Sequence, residues 1–216
     1  MNYLHWNEKT ITDFSEHALS EHYAAGYVFT RINRGVMHQT RSVRIDLTQF
    51  KLSSENRRIL KKTEGVTLAV SPLPLPDYSW TIGKMAKDFY DTKFGTGIMS
   101  TQKIKEMLTS TDRSNFNTLL TFLVEGRPTG YTIAYASSSI LHYSYPFYDL
   151  TSSPKDMGLG MMIRAIVSAQ EKGLAYIYLG SLQRPGDTYK LQFEGLEWFT
   201  GTTWSSDIEE AKKILV

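Results

Sequence analysis

The chain has 216 residues, 41% apolar and 21% charged, with a formal net charge of +2, the profile of a water-soluble protein with room for one sizeable core. It contains no cysteine, which excludes disulfides, thiolate catalysis and thiolate-bound zinc or iron–sulfur centres and suits a reducing compartment. No apolar run approaches the roughly 20 residues of a membrane span, and residues 1–12 are polar with no signal-peptide core, so the expected location is the cytoplasm, with no membrane partner.

The charge is unevenly spread. Between Arg31 and Lys62 stand nine Lys and Arg residues against Asp46 and Glu55, a net +7 in 32 residues, so the remainder is acidic. Such a block either meets a phosphate backbone or is a solvated basic face.

In chain order, residues 4–25 read as partly helical, with Ile11, Phe14, Ala18 and Leu19 at helical spacing, and Gly26 ends them. Residues 27–31 alternate as a strand does, Asn33-Arg34-Gly35 is a turn, and 41–47 is a second strand. A short helix is expected over 55–62 and a strand over 66–70. The run 71–76 holds three of the seven prolines and suits neither a helix nor an interior strand. It is taken as a boundary between an N-terminal subdomain, 1–76, and a main domain, 77–216.

Helices follow over 80–94 and 101–108, the second capped by Ser100 or Thr101. Strands over 117–124 and 129–137 flank a tight turn at Glu125-Gly126-Arg127-Pro128, and a third strand spans 140–150. The loop 151–160 leads to an apolar helix, 161–172, stopped by Gly173. Strands at 175–180 and 198–203 precede a last helix, which Ser206 and Glu209 open as a capping box. Antiparallel strands followed by a strand–helix–strand crossover give the order of the GNAT (acetyltransferase-like) fold. The expected class is therefore α+β, a mixed sheet flanked by helices.

Lys155-Asp156-Met157-Gly158-Leu159-Gly160 precedes the apolar helix and is similar to the GNAT pyrophosphate loop. Glycines let backbone N–H groups approach an anion, and a helix N-terminus adds positive partial charge. The anion would be the pyrophosphate of an acyl-CoA or a nucleic-acid phosphate; the plainer alternative is a loop-to-helix turn.

Two further segments carry a resemblance: Tyr176-Ile177-Tyr178-Leu179-Gly180, and Tyr189-Lys190-Leu191-Gln192-Phe193-Glu194-Gly195-Leu196-Glu197. With Phe147-Tyr148-Asp149, the 54–62 segment containing Arg57 and Arg58, Tyr90, and the Phe94-Gly95-Thr96-Gly97-Ile98-Met99 stretch, the chain resembles the aminoacyl-tRNA–protein transferase family. These are the arginyl and leucyl/aspartyl transferases of the N-degron pathway, and the likeness runs from about Tyr27 to Trp204. Two departures stand out. Met37 and Thr40 fall about where family members carry a Cys-x-x-Cys pair, and Ser181 and Gly195 replace a tyrosine and a proline of the motifs.

The resemblance implies transfer of an amino acid from a charged tRNA to a free amine, with the tRNA ester as the activated donor and neither cofactor nor metal required. Such an enzyme holds two reactants in near-attack geometry, takes a proton from the amine and stabilises an oxyanion. The catalytic candidates are Tyr178, Tyr189 and Asp149, to position the ester or move a proton; core packing for Tyr178 and a turn or cap for Asp149 are the alternatives. Tyr148, Lys190, Phe193, Glu194 and Glu197 are substrate-binding candidates, the two glutamates toward the acceptor ammonium. Arg57, Arg58, Lys61, Lys62, Lys155, Gly158 and Gly160 are the phosphate or tRNA candidates. The five histidines show no metal-ligand spacing, and His142 reads as structural. An acetyl-CoA-dependent N-acetyltransferase and a non-catalytic tRNA- or peptide-binding relic are the alternatives.

Overall fold

The computed structural model describes residues 3–215. Its elements in chain order are β1 (Asn7–Thr10), α1 (Glu16–Ala24), β2 (Tyr27–Phe29), β3 (Val36–Gln39), β4 (Ser42–Asp46), α2 (Ser54–Lys62), β5 (Val66–Pro72), α3 (Trp80–Phe94) and α4 (Thr101–Thr109). There follow β6 (Thr118–Val124), β7 (Arg127–Ala136), β8 (Ile140–Tyr148), α5 (Met157–Glu171), β9 (Tyr176–Ser181), a 3₁₀ helix (Pro185–Gln192), β10 (Leu196–Phe199), β11 (Trp204–Ser205) and α6 (Ile208–Lys213).

The chain forms two compact units. The first comprises Met1–Ser53, Ser137–His142 and Ser168–Val216; the second comprises Ser54–Ala136 and Tyr143–Val167. In the first unit, β1, β3 and β2 form an antiparallel three-stranded sheet. A second sheet runs β11-β10-β4-β9-β8, antiparallel except for β8 and β9, which pair parallel at Ile140 and Tyr176. Its core includes Leu19, Tyr23, Met37, Val43, Ile45, Ile177 and Tyr178. In the second unit the strand order is β8-β7-β6-β5, over a core including Ile59, Ala86, Ile104, Leu108, Phe122, Ile133, Phe147, Met161 and Ile163. A parallel β8–α5–β9 connection after an antiparallel run is the topology of a GNAT-like α+β domain, as expected.

Local chemistry explains most elements. Ser79 and Ser100 cap α3 and α4, accepting from Thr81 N at 3.3 Å and Lys103 N at 3.1 Å. Glu125 and Gly126, both at positive φ (50° and 76°), make the two-residue turn that joins β6 and β7. On α2 only Asn56 and Ile59 are buried, leaving its basic residues outward.

The structure departs from expectation at several places. The strand expected over 198–203 is instead the end of β10 and a turn leading to β11, and Arg127 and Pro128, expected in a turn, begin β7. Residues 7–10 are a strand, held by pairing to β3; all four are exposed, so side-chain patterning carries no strand signal. The sequence pattern also passed over β3, whose Val36, Met37 and His38 are all buried, so no two-residue alternation shows. α5 begins at Met157, four residues before the expected start, so Gly158 and Gly160 are helical rather than part of a loop. α6 is capped by Asp207, which accepts from Glu210 N at 2.9 Å, rather than by Ser206. Finally, the compact units do not divide at 76/77. β4, before that boundary, pairs with β9 and β10, while β5 pairs with β6 and ends in Pro72 at the sheet edge, where a strand tolerates proline.

Gly195 stands where the resembling family carries proline. Its φ is +77°, a Cβ there would lie 2.6 Å from Asp46 O, and its carbonyl accepts from Asp46 N at 2.9 Å. Proline fixes φ near −65°. Restoring it by Gly195→Pro is expected to lower stability by more than about 1 kcal/mol, read as the shift in a urea unfolding midpoint. An unchanged midpoint would contradict this backbone account.

Candidate functional site

The motif residues of the first unit converge on a cation that sequence reasoning placed only in the basic block. Arg44, on β4, is 9% exposed. Its guanidinium carbon lies 4.1 Å from the centroid of Tyr176 and 3.9 Å from that of Trp204, a sandwich between two aromatic faces. Nε donates to Glu197 Oε2 at 2.7 Å, and Nη1 lies 3.5 Å from the Tyr178 hydroxyl. Burial works against the charge, but Tyr178 and Glu197 outweigh it and hold the guanidinium more firmly protonated than usual. Burial raises the Tyr178 hydroxyl above the usual phenol range, with Arg44 pulling the other way. At neutral pH Tyr178 is therefore a hydrogen-bonding group rather than a base. Its ring is core, 4.8 Å from Tyr23 and 5.9 Å from Trp204. Glu197 keeps 30% of its side chain in solvent, so this acceptor joins a buried cation to the surface.

The second motif forms the 3₁₀ helix and the strand after it. Lys190 is buried, and its Nζ donates to Ser181 O at 2.7 Å and meets Asp187 Oδ1 at 3.2 Å. Burial lowers its pKa, against the pull of Asp187. Asp187 Oδ2 also accepts from Gln183 N and Arg184 N. The ammonium thus ties the end of β9 to the segment that follows it. Tyr189 is exposed, Phe193 is buried 6.5 Å from the Phe50 ring, and Glu194 is exposed.

Tyr23 and His142 lie beneath Tyr178. Tyr23 Oη and His142 Nδ1 are 3.0 Å apart. Burial pushes the imidazole down to about 3, so it is neutral at ordinary pH and structural, as the sequence suggested.

The second unit holds the remaining candidates. Asp149 Oδ1 accepts from Thr151 N at 2.8 Å and Thr151 Oγ1 at 2.7 Å, and Oδ2 accepts from Ser152 Oγ at 2.6 Å. These bonds, Ser152 first, lower its pKa to about 2. A carboxylate so held organises a turn and has little basicity. Tyr148 packs at 4.9 Å on the Phe89 ring. A Cβ at Gly158 would come 3.2 Å from the Tyr148 ring, and one at Gly160 would come 2.7 Å from Thr63 Oγ1. Close packing thus accounts for both glycines without an anion. Arg164 secures the same junction, with Nε donating to Val66 O at 2.7 Å, Nη1 to Thr63 Oγ1 at 2.8 Å, and Nη2 to Thr63 O.

Around this junction Arg57, Arg58, Lys61, Lys62 and Lys155 are all exposed. Arg58 pairs with Glu55 one turn earlier, and Lys62 with Asp156 at 3.0 Å. Pairs at exposed positions are weak and exchange readily for another anion. Sequence reasoning assigned no role to Arg44, Tyr176, Trp204 or Arg164. The available signal for Arg44 was its place inside a strand between Val43 and Ile45.

Comparison with known proteins follows the same lines. No protein-family model matches the chain. It is similar to curated proteins named aspartate/glutamate leucyltransferase: 24% identical over 172 residues to one from Ruegeria pomeroyi, covering 76% of this chain and 61% of that protein. It is 28% identical over 151 residues to one from Azorhizobium caulinodans, covering 64% and 59%. The chain therefore spans about three-fifths of the length of the relatives it matches. These relatives bear out the resemblance to the aminoacyl-tRNA–protein transferase family. Solved structures with a like fold include an L-PGS from Bacillus licheniformis (14% identity, TM-score 0.49, 78% of this chain and 52% of that one). A GCN5-related N-acetyltransferase from Kribbella flavida is another (13%, TM-score 0.34, 76% and 52%). Both are too distant to bear on function.

The geometry sets two expectations. Gly160→Ala gains helix propensity but drives a methyl group into Thr63, which is buried and bonded to Ile59 O and Arg164. The expected result is a net loss of about 1–3 kcal/mol by urea unfolding, whereas a glycine kept only for an approaching anion would give no loss. For His142 the folded pKa of about 3 lies below the ordinary 6.5, so the unfolded chain binds the proton more tightly. Its contribution is complete above about pH 6.5 and falls by about 1.4 kcal/mol per pH unit as the pH drops toward the folded value. His142→Asn is expected to flatten the acid limb of stability between about pH 6.5 and 4, measured by urea titrations across that range; parallel limbs would refute it.

Proposed function

We propose that the chain is an aminoacyl-tRNA-dependent transferase that moves an amino acid from charged tRNA to the amine of a protein N-terminus or a small molecule. The observation that carries this is the match to curated aspartate/glutamate leucyltransferases over as much as 76% of the chain. It includes in its favour the strand and 3₁₀ motifs that bring Tyr176, Tyr178, Glu197 and Arg44 together. The relatives' names favour a leucyl donor and a polypeptide N-terminus as acceptor.

In this mechanism the tRNA ester needs no further activation. Glu197 offers its solvent-facing carboxylate to the acceptor ammonium, and its bond to Arg44 fixes that carboxylate in direction. The Tyr178 hydroxyl, protonated at working pH, can donate to oxygen but not remove a proton. The exposed cations Arg57, Arg58, Lys61, Lys62 and Lys155 take up acceptor-stem phosphates. No helix among the described residues is long and apolar enough to cross a membrane, and a charged-tRNA donor suits a cytoplasmic reaction. The acetyl-CoA alternative is less favoured, because the fit of Gly160 against Thr63, and to a lesser degree of Gly158 against Tyr148, gives both glycines a packing role.

The test is transfer of radiolabelled amino acids from a total charged tRNA pool to a panel of N-terminal peptides. Label should enter peptide with wild-type protein, and Glu197→Gln should lower the rate while leaving tRNA binding unchanged. Arg57→Glu with Arg58→Glu should weaken tRNA binding about tenfold or more and make its salt dependence shallower. Absence of tRNA binding at low salt, together with thermal stabilisation by acetyl-CoA, would overturn the proposal.

A further inference from the structure

The N-terminal strand brings together three side chains that spacing in the sequence did not connect. His5, Glu8 and His38 place one donor atom each within 4.8 Å of one another. Glu8 and His38 are direct cross-strand partners in the pairing of β1 with β3, and His38 Nε2 lies 2.8 Å from Glu8 Oε2. The His5 ring lies over the His38 ring, with centroids 4.3 Å apart.

Two observations separate this group from a chance surface cluster. First, His38 is only 6% exposed and its Nδ1 has no hydrogen-bond partner. Its other nitrogen, Nε2, is the one that faces Glu8, so an ion there meets a desolvated imidazole nitrogen and a carboxylate already aimed at one another. Second, the segment carrying His5 is held on both sides. Leu4 N donates to Gln183 Oε1 at 2.8 Å, Leu4 O accepts from Thr40 Oγ1 at 2.6 Å, and Trp6 N donates to Gln39 O at 2.8 Å. The three donors therefore sit on backbone fixed by its own hydrogen bonds, which lowers the cost of assembling them around an ion.

We propose that His5, Glu8 and His38 form a binding site for a divalent first-row transition metal of the zinc type, which clasps the N-terminal strand to β3. Two imidazoles and one carboxylate suit zinc better than calcium or magnesium, which prefer all-oxygen sets. Zinc bonds of about 2.0–2.2 Å in tetrahedral arrangement separate two ligand atoms by about 3.3 Å, so the 2.8 Å contact between His38 and Glu8 has only to open slightly. Three protein ligands leave the fourth position to water. The site lies within the first unit and stands independently of the transferase reading.

The experiment is zinc titration of tag-free protein by calorimetry, in competition with a chromophoric chelator, alongside thermal unfolding with and without zinc. His5 and Glu8 are exposed, so His5→Ala and Glu8→Gln should preserve the fold, checked by circular dichroism. One zinc per chain, a raised unfolding temperature, and loss of both effects in each variant are expected. Absence of saturable zinc binding, or binding retained at wild-type strength in either variant, would overturn the proposal.

Discussion

A charge buried inside a sheet has to be matched, and in the first unit that requirement falls on Arg44. Removing a guanidinium from water costs several kcal/mol unless its hydrogen bonds and its charge are answered nearby. Here the answers come from other strands: Tyr176 and Tyr178 on β9, Glu197 on β10 and Trp204 on β11. The strand order β11-β10-β4-β9 places each partner beside β4 or next to its neighbour. One cation therefore explains why two aromatic residues, a carboxylate and a phenol from distant parts of the sequence are held together. Burial, against the pull of the same cation, keeps the phenol protonated.

The second unit depends on a different economy, that of space. The end of α2 and the first turn of α5 approach so closely that a single methyl at Gly160 would strike Thr63. Arg164 then donates to the carbonyls of Thr63, which already accepts from Val66 N, and of Val66. A glycine pair before an apolar helix is a reasonable sign of an anion cradle, but the same residues serve equally when two backbones must meet. Asp149 makes the same point in electrostatic terms. Four hydrogen bonds hold its carboxylate as an anion and leave it a turn residue.

Function then rests on a division of labour. Groups whose hydrogen bonds are taken up by neighbouring backbone or turn residues, such as Lys190 and Asp149, fix the backbone. The proposed substrate contacts fall instead on groups that retain solvent access, Glu197 and the exposed cations of α2. Of the residues singled out from the sequence, Lys190 and Asp149 were chosen because they lay in motifs. A motif preserves the scaffold of a site as faithfully as its chemistry.

The sequence by itself determined the α3 helix to the residue, the existence of the β6–β7 hairpin with its turn at 125–128, two residues longer than the one formed, the order of elements that defines the fold class, and the kinship carried by the 176–180 and 189–197 motifs. These are local: caps, turn residues and apolar periodicity act over a few residues and leave their mark there. Only the tertiary structure decided that β1 is a strand, since its exposed side chains leave pairing to β3 as the sole cause. The same holds for the meeting of Arg44 with Glu197 and of His5 with His38. Those contacts depend on sheet register, which long-range pairing sets and no window along the chain contains.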